Sequence, residues 1–90
     1  MNKFLHVGFH WQGPPKITEL EPVFGKAFDW VRYSGNCWII YTNTDIPTWV
    51  ARVREHMGPN DNVIICELAN IRSSDGWMPK WIWDWVNKSR

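Results

Sequence analysis

Two histidines, His6 and His10, flank Gly8 in a run where Leu5, Val7, Phe9 and Trp11 occupy the alternate positions. In an extended chain they share one face and stand ~13 Å apart. A zinc ion holds its ligands ~2 Å away, so one chain cannot close both histidines on one metal. Across a two-fold axis the histidines of two copies could meet. Otherwise they are two neutral imidazoles on a partly covered sheet face, with Gly8 letting another backbone approach closely. The carboxylates do not converge. Asp29, Asp45, Asp61, Asp75 and Asp84 fall at turns, caps or isolated positions, the roles such residues commonly fill. Glu67 differs, because it sits in the apolar run Val63–Leu68 and must lie at an exposed edge or be paired. No glycine-rich phosphate loop, no CxxC pair and no serine or cysteine in a nucleophile setting is present. The expectation is no catalytic set, no bound metal and no cofactor.

The second chemistry-bearing feature is the ending, where Trp77, Trp81, Trp83 and Trp85 are interleaved with Lys80, Lys88 and Arg90. Indole faces beside basic side chains suit single-stranded nucleic acid, whose bases stack for ~1–3 kcal/mol each. On that reading the contacts are Trp83, Lys80, Arg52, Arg54 and Arg72. On the other, a helix packs its tryptophan face over a sheet or across a dimer. Ten Lys and Arg against nine Asp and Glu leave a net charge of +1. That excludes a nucleic-acid binder working by charge alone, and equally an acidic mimic. Eight tryptophans in 90 residues are hard to bury fully in so small a body, so some should reach the surface or a partner.

The elements that must position these residues follow from periodicity. Ninety residues form one domain, 1–90. Residues 3–11 read as a strand, ended by Gly13-Pro14-Pro15. Thr18 and Glu21 read as a capping box for a short helix over 17–26, with Pro22 tolerable only in its first turn. Phe28–Tyr33 and Cys37–Thr42 around Ser34-Gly35-Asn36 make a hairpin. Thr44 or Asp45 caps a helix carrying Trp49, Val50, Val53 and Met57 on its apolar stripe, ended by Gly58-Pro59. Val63–Leu68 reads as a strand with both faces largely covered. In the segment 76–88, Met78, Trp81, Ile82 and Trp85 fit one helical face, while Trp81, Trp83 and Trp85 also fit strand alternation; the helix is the reading carried forward, packed on the sheet or across a dimer.

Strand, helix, strand, strand, helix, strand predicts an α+β fold: a ferredoxin-like split βαβ, βαββαβ, with a four-stranded antiparallel sheet and two helices on one face. Strands one and three are then central and strand four pairs with strand one. Cys37 and Cys66 lie on strands separated by a third, roughly 10 Å apart and too far for a disulfide. Three patches carry a family resemblance: Tyr33–Tyr41, Asp61–Leu68 and Gly76–Trp85. With the element order, they resemble the small SinR-type proteins related to the CRISPR-associated adaptation nuclease subunit and the virulence-associated D toxins. The resemblance spans about residues 3–86 and implies a homodimeric ferredoxin-like fold. Its nuclease members place an acid that holds a divalent metal at the end of the first strand. The matching stretch here, Phe9-His10-Trp11-Gln12, has none.

The resulting expectation is a non-catalytic homodimeric interaction or regulatory module. Its interface would be Phe4, His6, Gly8, His10, Trp77, Trp81 and Trp85, because the sheet face not covered by the two helices needs cover. The alternatives are a metal-dependent endoribonuclease or toxin-like nuclease, and a nucleic-acid-binding module without chemistry. The N-terminus does not read as a signal peptide and no run approaches the ~18 apolar residues of a membrane span. The expected setting is the cytoplasm, with a second copy or another protein as partner.

Overall fold

A computed structural model describes residues 1–90. Alternation in the first strand, β1 (Lys3–His10), decides the layering. Leu5, Val7 and Phe9 are buried on one face, and Phe4, His6 and Gly8 are half-buried on the other. The chain continues through α1 (Ile17–Phe24), β2 (Asp29–Ser34), β3 (Cys37–Thr42), α2 (Ile46–Arg54), β4 (Asn62–Leu68), a 3-10 turn over Ile71–Ser73, and α3 (Lys80–Val86). The four strands form one antiparallel sheet in the order β2-β3-β1-β4. β1 and β3 take the central places, and β4 lies beside β1.

On the first face, Leu20, Val23 and Phe24 of α1 and Trp49 and Val53 of α2 close over Leu5, Val7, Phe9, Trp38 and Ile40. Burying Trp49 also buries a donor, and its indole N–H donates to the Thr42 hydroxyl at 3.2 Å. Thr42 is the one buried polar residue, so this bond removes a desolvation penalty of about 1–3 kcal/mol. Asp45 caps α2 by accepting from the Thr48 amide at 2.9 Å. The capping box expected for α1 is not made. The helix begins beyond Lys16 with no side-chain cap, ends at Phe24 rather than 26, and holds Pro22 past its first turn. Pro22 and Thr18 both face solvent, so water can serve the Thr18 carbonyl that a proline cannot reach. The burial of Leu20, Val23 and Phe24 then outweighs weak local signals.

The second face is only half covered. Ile71, Ile82 and Val86 pack against Val31, joined by Phe4, Tyr33, Ile39, Leu68, Met78 and Trp85. The tail is therefore helical, but its buried stripe centres on Ile82 and Val86. Trp81, expected on that stripe, is turned outward and 54% exposed, and Trp77 is fully exposed ahead of the helix. A seven-residue helix buries only one narrow row, and the 82–86 row lies nearer the sheet. β4 corrects a second expectation. It is an edge strand with Asn62, Ile64, Cys66 and Glu67 exposed, because α3 sits over the β2 side and stops short of it.

The C-terminus is tied down by charge. The Arg90 side chain is 8% exposed and reaches Asp29 at 3.0 Å. Its guanidinium lies 4.4 Å from the Trp85 ring centre and 5.3 Å from that of Phe4. Lys88 adds a longer pair to the same carboxylate at 3.5 Å. Partial burial of Asp29 works against ionisation, but the Trp85 side chain, the Trp30 amide, Lys88 and Arg90 outweigh it and hold the carboxyl below 3.8. A depressed carboxyl contributes its stability above the unfolded value and loses it as pH falls through the folded one. The tail clasp should thus be intact above about pH 4 and release below it. Asp29→Asn should cost about 1 kcal/mol at neutral pH, the scale of a largely solvent-facing ion pair. It should also remove the Asp29 share of the acid transition, read by near-ultraviolet circular dichroism. A variant that matches wild type in both respects contradicts the clasp.

Candidate functional site

The uncovered half of the second face runs along β1 and β4. Cross-strand pairing sets Gly8 beside Ile64, His6 beside Cys66, and His10 beside Asn62. Ile64 is 66% exposed, a large apolar side chain with nothing over it. Gly8 is what keeps this strip shallow. A Cβ there would stand 3.3 Å from His6 Cε1 and 3.6 Å from Ile64 Cγ2. The absent side chain leaves a hollow lined by Gly8, Phe9, His10, Asn62, Val63 and Ile64.

A polar group borders the hollow toward β2. The His6 Nε2 atom and the Tyr33 hydroxyl are 2.5 Å apart. Burial lowers the His6 pKa below 6.5. Burial, with the neighbouring Cys37, pushes the Tyr33 phenol up to about 12. At neutral pH the imidazole is therefore neutral and the phenol protonated, and a single hydrogen bond joins Nε2 and the hydroxyl. This is a closed donor–acceptor pair. A phenol at about 12 resists ionisation, and no carboxylate orients the ring as in a hydrolytic triad. No three His, Cys, Asp or Glu side chains converge closely enough to hold a metal ion. Cys37 and Cys66 are free thiols, half-buried and exposed respectively.

The residues expected at an interface separate into three groups. Phe4 and Trp85 pack on each other edge to face at 5.9 Å under Arg90, inside the chain's own second core. His6, Gly8 and His10 line the open strip, with His10 at its exposed end. Trp77 and Trp81 project from the α3 side. The residues considered for nucleic acid do not gather. Lys80 pairs with Asp84 at 2.8 Å, and Arg72 donates to the Lys88 carbonyl at 2.6 Å. Trp83 is half-buried, with its ring edge about 4 Å from where a Cβ on Gly76 would lie. Arg52 lies over Trp49 at 4.8 Å on the opposite side of the sheet, and the exposed Arg54 belongs to the same helix.

Sequence reasoning passed over Ile64, Cys66, Tyr33 and Cys37 as site residues. Strand pairing held the signal for the first two, because an antiparallel register against β1 sets an apolar residue beside Gly8. Comparison of the chain with family models, with curated proteins and with solved structures finds no match.

Because burial depresses His6, its stabilising contribution is full above pH 6.5 and is lost as pH falls below that value toward the folded pKa. An NMR titration of the His6 ring should give a midpoint under 6.5, and Tyr33→Phe should alter the His6 shifts without unfolding the protein. A midpoint at or above 6.5 contradicts the buried, phenol-bonded imidazole.

Proposed function

We propose that this protein is a small, non-catalytic homodimeric interaction module on a ferredoxin-like split βαβ sheet. The β2-β3-β1-β4 order, read from the other edge, runs 4-1-3-2, with α1 and α2 on one face. That is the arrangement expected when two crossover units share a hairpin.

One observation carries the functional reading. The chain covers its second face over the β2 side and the Phe4–Leu68 end of β1 and β4, and leaves Ile64, beside Gly8 and near Cys66, bare. An exposed apolar strip next to a strand edge calls for a partner. A second copy is the occupant inferred. Two-fold dimers are the commonest closed assembly, and a net charge of +1 puts little repulsion between copies. The resemblance to SinR-type proteins carries the same expectation. The stretch Phe9-His10-Trp11-Gln12, which matches the end of the nuclease members' first strand, holds no acid, and this weighs against divalent-metal cleavage. Two free thiols suit a reducing compartment and support the expected cytoplasmic setting. No helix is long and apolar enough to cross a membrane.

Sedimentation equilibrium at micromolar concentration should give about twice the chain mass of 10.7 kDa. A species of single-chain mass throughout that range overturns the reading.

A further inference from the structure

We propose that the second copy docks through the outer edge of β4, as a two-fold antiparallel strand pair centred on Ile65 that joins two sheets into one. This rests on the homodimer reading above and specifies its geometry.

The backbone shows which groups are free. The Phe9 amide donates to Asn36, on the β3 side of β1. Backbone groups alternate in direction along a strand, so Phe4, His6, Gly8 and His10 bond toward β4. Their partners Leu68, Cys66, Ile64 and Asn62 therefore point inward. Val63, Ile65 and Glu67 point outward, and β4 has no second neighbour in the sheet. Seven residues of strand present this unpaired row.

The two edges of the sheet are not alike. β2 carries an irregularity between Arg32 and Ser34 and lies beside the helix and clasp that cover its face. β4 carries no lysine, arginine, proline or bulge, which are the features that keep edge strands from pairing. Glu67 is its only charge.

Self-pairing has a preferred register. Centring on Ile65 uses all seven residues of Asn62–Leu68 in each copy. Ile65 faces Ile65, and Val63 faces Glu67 in both directions. Those residues hold the outward groups, so each pair exchanges two hydrogen bonds. Centring on Ile64 would set Glu67 opposite Asp61, a like-charge pair. Centring on Cys66 would carry Asn62 and Val63 past the partner strand. In the Ile65 register the exposed Ile64 side chain of each copy lies across from Cys66 of the other. These are non-hydrogen-bonded positions, where side chains approach most closely. The open strips of the two copies then become continuous, and each Ile64 gains cover.

The test uses the full chain. Ile64→Cys under mild oxidation should give a covalent dimer whose disulfide, mapped by mass spectrometry, joins position 64 of one copy to Cys66 of the other. Such cross-strand positions lie within disulfide reach. In wild type, two Cys66 residues sit diagonally and should not cross-link. Glu67→Pro removes one outward N–H while leaving the inward ladder to β1 intact. It should keep the far-ultraviolet spectrum and raise the dimer dissociation constant at least tenfold. If the wild type is a dimer but Ile64→Cys gives no 64-to-66 disulfide, or a Cys66-to-Cys66 one instead, this geometry is overturned and the homodimer stands. A wild-type monomer overturns both. If Glu67→Pro fails to fold, the cross-link alone decides.

Discussion

Everything in this small protein turns on one strand that is apolar toward both sides. β1 is hydrogen-bonded on both edges, and its side chains divide between Leu5, Val7 and Phe9 on one face and Phe4, His6 and Gly8 on the other. A strand in that position needs cover above and below. Two helices supply the first layer, with Trp38 and Trp49 wholly buried in it. The second layer is supplied only in part: α3 and Ile71 cover the β2 side and the Phe4–Leu68 end of β1 and β4. The open strip around Gly8 and Ile64 is what that partial layer leaves uncovered.

The narrowness of that second layer also bears on how the tail is held. A helix of seven residues is marginal without tertiary contacts. Ile82 and Val86 give it a narrow apolar row. Beyond its end, Arg90 stacks its planar guanidinium over Trp85, Phe4 and Tyr41 while pairing with Asp29. Arginine suits this position because one planar group can stack on rings and still offer hydrogen bonds in its own plane. The aromatic wealth of the chain is thus spread over three settings. Some indoles are core, Trp85 serves the clasp, and Trp77 and Trp81 remain in solvent.

Much of the fold was legible in the residues because local and tertiary preferences agree there. The alternation of Leu5, Val7 and Phe9 and the hairpin around Gly35 each have one satisfactory reading, and the cap ahead of Trp49 and Val53 was narrowed to Thr44 or Asp45, of which Asp45 makes the bond. Where they conflict, packing decides. Thr18 and Glu21 resemble a cap, yet α1 is placed by Leu20, Val23 and Phe24, and it keeps Pro22 because that side faces water. The ending fits both a helix and a strand by periodicity, and choosing which indole points inward requires knowing where the sheet lies. β4 read as covered on both faces because its apolar run is nearly continuous. Coverage depends on how far α3 extends, which no local pattern encodes. The candidate site was half visible: His6, Gly8 and His10 follow from one strand, whereas Ile64, Cys66 and Tyr33 join them only through long-range register.

The most direct test of the account is amide hydrogen exchange along β4, followed residue by residue against protein concentration. Ile64, Cys66 and Leu68 donate inward to β1 and should be protected at every concentration. Val63, Ile65 and Glu67 point outward. The account predicts that they too are protected at high concentration and become fast on dilution, as a paired edge opens. Fast exchange at those three positions at all concentrations, beside slow exchange at their neighbours, would mean that the edge stays bare and would contradict the central claim.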